Sequence, residues 1–450
     1  MKSGTTTESE DTLQWLQQQL EEMGDKEVCT LSSGEEQLSM VYLKSMTDPS
    51  LIQEQLVNRF YEMNSLEQYQ QYMDSFPSIQ QPQSKEEAIE ALLKGSVVLF
   101  IREHIYLFNA LKVQGSSVSE ASTENVIQGP TDSFTEDIDI NMNLIRRRYQ
   151  SVDLKSEYMS IGKVSQTRIA IVYDTTRVDH AVLKELRERL GNIDADVIQA
   201  ASEIERFSMK PRWRLFPTMM VSERPDRTVL NLSQGKIVVL MDTTGYAVLL
   251  PAIFNDFFTA MDDQIQLPPV GWFLKAIRYI GLLATLLLPA LYVAFTSYNP
   301  EILKMQIALL IAGSRATVPY PSFMEVLFML LAMEFLIEAS VRLPKAIGPT
   351  ATTVGGLILG TAATEAGLVS NIMIIIVAAV AISNFVIPVS MMSFGIRVTK
   401  YIFIGLATFF GLVGIVLGII GLIVYLTSLR SFGQPYLKMF AIRKLTGEGK

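Results

Sequence analysis

Residues 402–426 read IFIGLATFFGLVGIVLGIIGLIVYL, an apolar run without a charge and with glycines at 405, 411, 414, 418 and 421. A helix needs about 20 mainly apolar residues to cross a bilayer, and in lipid a helix satisfies its own backbone polar groups. The run has companions at 280–295, 323–336 and 354–387, all inside a region from Trp272 to Leu429 where charges almost vanish. These stretches are too long and apolar for surface helices, so the C-terminal part reads as an all-α polytopic membrane domain. The spacing of Gly411, Gly414, Gly418 and Gly421 suits close helix packing.

Outward from this region the composition changes. The chain has 450 residues, formal net charge −8 and mean hydropathy +0.26, yet the first 265 residues are polar and charged. An acidic soluble half speaks against nucleic-acid binding. Cys29 is the only cysteine, which rules out an intrachain disulfide and a cysteine-based zinc site. His104 and His180 are too few for the common imidazole metal sites, and no Ser/His/Asp or Cys/His pairing supports a hydrolase. No phosphate loop or dinucleotide fingerprint is present, so neither an enzyme nor a cofactor is expected. The N-terminus lacks the apolar core of a signal peptide, and Lys275 and Arg278 flank the first apolar segment. Both place the soluble half on the cytosolic side.

Five regions follow. Residues 1–47 read as a polar, partly disordered arm with a short amphipathic helix over 11–23. Residues 48–128 form a first α/β lobe, in which Asp48 caps a helix entered by Pro49 and 68–83 is a solvated connection. Residues 129–268 hold a linker motif and a second α/β lobe. In that lobe 167–173 is a strand, and Asp179 caps a helix ending at Gly191. Residues 269–430 are the membrane domain, of about four to six segments, and 431–450 a short basic tail. The soluble half carries an internal repeat. A short helical pattern, Gly95, Val97–Ile101 and Tyr106–Phe108 align without a gap on a helical pattern, Gly235, Ile237–Met241 and Tyr246–Leu249. Each unit reads as a helix, a glycine C-cap and a β-hairpin, and the fold class is two related α/β lobes followed by the membrane domain.

The membrane segments leave a conflict. Arg342 and Lys345 mark one loop, Arg397 and Lys400 another, and Arg430, Lys438, Arg443 and Lys444 the tail. If each segment crosses once, the positive-inside rule cannot hold for all three. Either one segment is re-entrant, with the marginal stretch 301–318 lying at the interface, or one loop breaks the rule.

The motifs then match a known pattern. Gly129-Pro130 with Ser133-Phe134-Thr135-Glu136-Asp137, Asn141 with Leu144-Ile145-Arg146-Arg147-Arg148, and Glu223-Arg224-Pro225-Asp226 come first. Arg342-Leu343-Pro344 with Gly348, Gly355-Gly356, Gly367-Leu368-Val369-Ser370, and Ser431-Phe432-Gly433 with Pro435-Tyr436 follow in order. This succession resembles the spore germination GerA family, A-subunit type. The resemblance implies a germinant receptor subunit in the spore inner membrane. Its partners would be a transporter-like B subunit that binds the nutrient, a lipoprotein C subunit, membrane lipid and further copies of itself, assembled into an ion channel. Thr131 and Thr361 depart from the family pattern, where Arg and Gln are usual. A secondary transporter or a non-conducting scaffold subunit are the alternatives. Transporters usually carry repeats in the membrane half, and here the repeat is soluble.

Candidate functional residues fall in two sets. Phe134, Glu136, Asn141, Arg146, Arg147, Arg148, Glu223, Arg224, Pro225 and Asp226 are signature candidates. The arginine triplet either meets anionic lipid or an acidic partner, or pairs with Glu136, Asp137 or Asp139. In the membrane half, Thr353, Val354, Leu357, Thr361 and Glu365 put hydroxyls, small apolar groups and a carboxylate on one glycine-rich segment. Such side chains can line a narrow pore with Val354 or Leu357 as a hydrophobic gate; tight packing through Gly355, Gly356 and Gly360 is the competing reading. Glu334 is placed at a pore mouth or behind it, or against Arg342, and Glu338 against Arg342 at helical spacing.

Overall fold

Two hairpins that each follow a helix and a glycine organise the first part of the chain. The computed structural model describes residues 8–34, 36–76, 79–112, 120–124, 126, 128–209, 213–344 and 347–438. It divides into two compact units. One runs to residue 212 and includes Met219–Pro251; the other comprises Trp213–Thr218 and the chain from Ala252.

The first unit holds both lobes. Lobe one contains α1 (Glu8–Gln19), β1 (Lys26–Ser33), β2 (Glu36–Leu43), α2 (Pro49–Leu51), which continues through a π-helical stretch into α3 (Asn58–Glu62), α4 (Leu66–Ser75), α5 (Lys85–Leu93), β3 (Ser96–Ile101) and β4 (His104–Asn109). The strands form an antiparallel sheet in sequence order. Val97, Leu99 and Ile101 pack with Tyr69 and Met73 on one face, while Val98 and Phe100 pack with Leu16 and Leu92 on the other. Side chains alternate across a strand, so burial of both faces accounts for the unbroken apolar run. Lobe two contains α6 (Ile138–Arg148), β5 (Leu154–Ile161), β6 (Thr167–Asp174), α7 (His180–Gly191), α8 (Ala201–Ser208), β7 (Met220–Ser222), α9 (Pro225–Ser233), β8 (Ile237–Met241) and β9 (Ala247–Leu250). Its antiparallel sheet runs β5-β6-β8-β9-β7. The repeat is thus wider than the hairpins: β1-β2-β3-β4 corresponds to β5-β6-β8-β9.

Gly95 and Gly235 each follow the C-cap of their helix, with φ of +93° and +82°, the left-handed conformation that favours glycine. The ungapped match of Tyr106 with Tyr246 fails beyond them. In the first hairpin Ile101 pairs with His104 and Leu99 with Tyr106, whereas in the second Leu240 pairs with Ala247, which leaves Tyr246 in the connection. That longer connection has a use. Thr243 N–H donates to Glu136 O at 2.8 Å, and a Cβ on Gly245 would stand 2.9 Å from Phe134 O.

Three expectations need correction. Within residues 1–47, β1 and β2 belong to the first sheet; β1 is an edge strand whose mainly solvent-facing residues make it read as polar. Residues 68–83 do not form a solvated connection throughout, because α4 buries Leu66, Tyr69 and Met73 at helical spacing. The tail does not begin at 431: β10 (Arg430–Ser431) and β11 (Gln434–Pro435) form a small hairpin with Ser431, Phe432 and Tyr436 buried. Residues 1–7, much of the linker at 113–127, Lys345 and 439–450, with Arg443 and Lys444, lie outside the described residues.

The second unit contains α10 (Asp262–Ile265), α11 (Pro268–Ser297), α12 (Met305–Arg315), α13 (Ser322–Arg342), α14 (Gly348–Glu365), α15 (Asn371–Phe385) and α16 (Ser390–Ser428). By length and apolar composition α11 and α16 suffice to cross a membrane. Yet α16 is not one rod. Gly411 has φ +57° and ψ −138°. A Cβ on Gly414 would stand 2.1 Å from Leu406 O, and one on Gly418 3.1 Å from Phe403 Cε1. Leu215 touches both ends: its N–H donates to Tyr425 Oη at 3.0 Å, and its carbonyl oxygen is 2.3 Å from a Cβ on Gly395. In a straight helix residues 395 and 425 would be about 45 Å apart. The chain therefore reverses at Gly411, and residues 390–410 and 412–428 are antiparallel arms. The small-residue spacing serves this hairpin: Gly411 turns it, and Gly414 and Gly418 let the arms approach.

The other contacts order the remaining helices. Let the near end be the end of the unit holding Pro268. The far end of α11 meets the Gly411 turn through Tyr298, whose hydroxyl donates to Thr408 O. Ser297 and Ser322 hydroxyls lie 2.5 Å apart, so α13 starts at the far end. Gly348 lies against Ser340, and Gly355 against Leu336, so α14 runs back antiparallel to α13. Ser370 bonds Tyr292, and Gly281 lies against Ser383, so α15 is antiparallel to α11. Phe254 N–H donates to Tyr436 O at 3.0 Å, which brings the end of α16 back to the near end. Among the described residues, α11, α13, α14, α15 and the two arms of α16 make six alternating passes, and α12 joins the far ends of α11 and α13. Lys275, Arg278, Arg342, Arg397, Lys400, Arg430 and Lys438 all fall in the near half. Because α16 passes twice, the three positive stretches fall at one end of the unit, while Lys304 and Arg315 of α12 lie at the other.

Candidate functional site

In the first unit most of the signature residues turn inward, while Glu136 and Arg147 are exposed. Asp137 caps α6 through Asp139 and Ile140 N–H. Asn141 bonds both polar groups of the Thr135 peptide at 2.7 Å, and Phe134 N–H donates to Glu223 O. Glu223 Oε1 accepts Thr123 and Glu124 N–H at 2.6 and 2.8 Å. Burial pushes its carboxyl up, but these donors outweigh burial and hold it below the usual range. Arg224 bonds Asp226 through two nitrogens and also donates to Glu124 O and Pro130 O. Pro225 is the first residue of α9, suited by its fixed φ and missing N–H. Glu223-Arg224-Pro225-Asp226 is therefore a clamp that holds the linker against lobe two.

Neither reading of the arginine triplet fits Arg146. Its guanidinium pairs with Asp25 at 2.6 and 2.7 Å, the two side chains 2% and 3% exposed. Asp25 also accepts from Ser45 and Ser156. Burial raises the Asp25 carboxyl, and the Arg146 charge and hydrogen bonds overcome this to leave it below its ordinary value. Arg148 pairs with Asp132, Asp139 with Arg168, and Arg147 is exposed. With Gly24 N–H donating to Ser156 O at 2.8 Å and Asn143 to Ser45 O, Asp25–Arg146 forms the joint between the lobes. Asp25 escapes sequence reading because its partner is distant in the chain.

In the second unit the carboxylates are paired across helices. Glu334 accepts from Lys400 at 2.7 Å and from Arg397 Nε at 2.8 Å, which ties α13 to α16; Lys400 is 1% exposed. Its partner is thus not Arg342, which instead pairs with Glu338 at 2.6 Å. Arg397 and Lys400 are not in a loop but in the first arm of α16. Glu325 is buried and accepts from Tyr292, Ser370 N–H and Ser370 Oγ at 3.0, 2.7 and 2.5 Å, with Arg315 at 3.3 Å. Its oxygens are fully engaged in fixing α11, α12, α13 and the cap of α15.

The pore candidates of α14 come together. Thr353, Val354, Leu357, Thr361 and Glu365 are all exposed, at spacings that put them along one helix face; Leu357 is 67% and Val354 49% exposed. The hydroxyl of Thr361 is turned back onto Leu357 O at 3.0 Å. The inward side of the helix meets α13, where a Cβ on Gly355 would lie 3.1 Å from Leu336. Gly356 and Gly360 have more room, so close packing explains Gly355 alone.

The family model described as Bacillus/Clostridium GerA spore germination protein matches residues 14–447. Spore germination protein KA of Bacillus subtilis (strain 168) is 34% identical over 90% of this chain and 76% of its own length. Spore germination protein GerLA of Bacillus cereus is 34% identical over 88% of this chain and 82% of its own. The crystal structure of the N-terminal domain of the A subunit of the Bacillus megaterium spore germinant receptor GerK3 aligns at 23% identity and a TM-score of 0.42, over 55% of this chain and 96% of that one. By the match across nearly its whole length, this chain belongs to the Bacillus/Clostridium GerA spore germination protein family.

Proposed function

We propose that the chain is the A subunit of a nutrient germinant receptor in the spore inner membrane and that copies of it assemble around an ion conduit lined by α14. The lobes lie in the cytosol. A transporter-like B subunit binds the nutrient, a lipoprotein C subunit completes the receptor, and the A subunit turns binding into ion release. The observation that carries this is the α14 face, which holds Thr353, Val354, Leu357, Thr361 and Glu365 and is exposed in the single chain. A helix with threonines and a terminal carboxylate on its open face suits a narrow aqueous path with an apolar constriction. Glu334 stands behind it, locked to α16.

Two features support the membrane placement. Seven cations, Lys275, Arg278, Arg342, Arg397, Lys400, Arg430 and Lys438, lie in the near half against Lys304 and Arg315 at the far end, the excess that the positive-inside rule expects if the near end is cytosolic. Trp213 and Trp272, 96% and 80% exposed, suit the headgroup level at that end. Charges at mid-membrane cost about 2.5–3.5 kcal/mol each on insertion scales, which accounts for the pairing of Glu334, near the middle of α13, with Arg397 and Lys400.

Conductance of the full chain in liposomes tests the conduit. Val354→Ala widens the constriction and raises leak; Glu365→Gln lowers cation preference. If the assembled protein conducts identically with both changes, α14 is a packing helix and the scaffold reading takes over. A cysteine at Ser202, in a Cys29→Ser background, resists impermeant thiol reagents in intact cells. Labelling there before lysis would reverse the orientation.

A further inference from the structure

A cavity of about 560 Å³ lies in the second unit between α11, the second arm of α16, residues 253–255 and Leu437–Lys438. Leu282, Leu283, Leu286, Leu422, Ile423 and Leu426 give it an apolar wall. Its polar groups sit toward the near end: Tyr279 Oη donates to Asn255 Oδ1 at 2.8 Å, and Lys438 is exposed. Leu283 and Ile423, 54% and 50% exposed, open the cavity along the outer surface of the helices.

We propose that this cavity holds one acyl chain of an anionic phospholipid, with the phosphate met by Lys438. The inference rests on the membrane reading above, because the outward side of Leu283 and Ile423 then faces hydrocarbon. Three features select this occupant. The wall is apolar along α11 from Leu282 to Leu286, where water would find few partners. The polar and cationic groups lie together at the headgroup end, about 10 Å nearer the surface than Leu286 at the helical rise between positions 279 and 286. The cavity opens on the outer surface beside Leu283 and Ile423, where on the membrane reading acyl chains are the neighbours. Phe216 also lines the cavity. It belongs to the short segment Trp213–Thr218 that touches both arms of α16, so the lipid chain props that segment.

Native mass spectrometry of the delipidated full chain in detergent tests the site, with phosphatidylglycerol or phosphatidylcholine added. One phosphatidylglycerol binds per chain in preference to phosphatidylcholine. Lys438→Gln weakens phosphatidylglycerol binding about five-fold, as loss of one lysine near an anionic headgroup implies, and leaves phosphatidylcholine unchanged. Leu286→Trp fills the cavity and abolishes both, while Ile382→Trp, on the exposed side of α15, alters neither. Unchanged phosphatidylglycerol binding in Lys438→Gln, or in folded Leu286→Trp, overturns the site. Flotation with vesicles of the two lipids separates the failures: a chain that does not float sinks the membrane reading itself, and a floating chain without the retained lipid sinks only this site.

Discussion

The two units use their recognisable residues in opposite ways. In the first, Arg146, Glu223, Arg224 and Asn141 are buried and bonded to neighbouring backbone and carboxylates, with Nη1 of Arg146 left without a partner. In the second, the face of α14 with Val354 and Leu357 is exposed. A motif that points inward and is bonded there is architecture; it joins lobes and clamps a linker. An open face needs something to cover it, whether another copy, lipid or water in a conduit. On the function proposed above, the signature residues of the first unit are scaffolding and the open face belongs to a helix whose sequence is merely small and slightly polar.

Changes that break the architecture have the largest expected effects. Gly411→Leu forces a side chain into a backbone conformation almost confined to glycine and against the Tyr298 ring, 3.0 Å from a Cβ there. Most of the protein then fails to accumulate, and in what remains a cysteine at Gln434 becomes labelled from the opposite side of the membrane. Next comes the joint. Asp25→Ala leaves the Arg146 guanidinium buried and unpaired, a loss of about 3–5 kcal/mol for such a change. Denaturation of the full chain, followed by hydrogen exchange at Gly24, reads it. Because the folded Asp25 carboxyl lies below its ordinary 3.8, its contribution is complete above about pH 4 and fades as the pH falls through the lowered value. Asp25→Asn therefore flattens the acid limb of the stability profile.

The glycines separate the lobes on a finer scale. A Cβ on Gly235 meets Arg177 O at 2.3 Å, whereas on Gly95 the nearest atom is Leu111 Cδ1 at 2.7 Å. A backbone oxygen yields less readily than a side-chain tip. Both replacements by valine incur about 1–2 kcal/mol for the left-handed backbone, and Gly235→Val adds about 1–3 kcal/mol of overpacking. Equal losses in thermal denaturation would mean that the backbone conformation alone sets both costs and that the closeness of Arg177 O adds nothing. Glu365→Gln has the smallest effect: ion preference shifts while stability stays within about 0.5 kcal/mol, as at an exposed position.

Much of this was legible in the residues. The helix–glycine–hairpin repeat followed from Gly95 and Gly235 before two apolar runs, and Asp48 and Asp179 precede helices whose first turns they cap. What was hidden has physical causes. β1 sits at the sheet edge with most of its residues toward solvent, so its composition resembles a tail. The register shift after Gly235 arises from the grip of the connection on Phe134 and Glu136, which no local pattern encodes. The reversal at Gly411 lies inside an apolar run that reads as continuous. Its one signal was indirect, the conflict among three positive stretches that a second pass brings to one end. On α14 residue type alone, threonines and a carboxylate among small apolar residues, singled out the segment, and helical spacing then puts the candidates on one exposed face. The partners of Glu334 were not, because Arg397 and Lys400 come from a helix that looked like a loop.

Cysteine accessibility along α14 during conductance tests the central contrast most directly. In a Cys29→Ser background, cysteines at Val354, Leu357 and Thr361 are compared with cysteines at Ile375 and Ile382 on α15, which are 68% and 66% exposed. The predicted result is that an impermeant cationic thiol reagent reacts at the three α14 positions in the conducting assembly and blocks the current, while the two α15 positions, facing lipid, neither react nor block. Reaction at Ile375 and Ile382 with silence at Val354, Leu357 and Thr361 would place water along α15 and contradict the account.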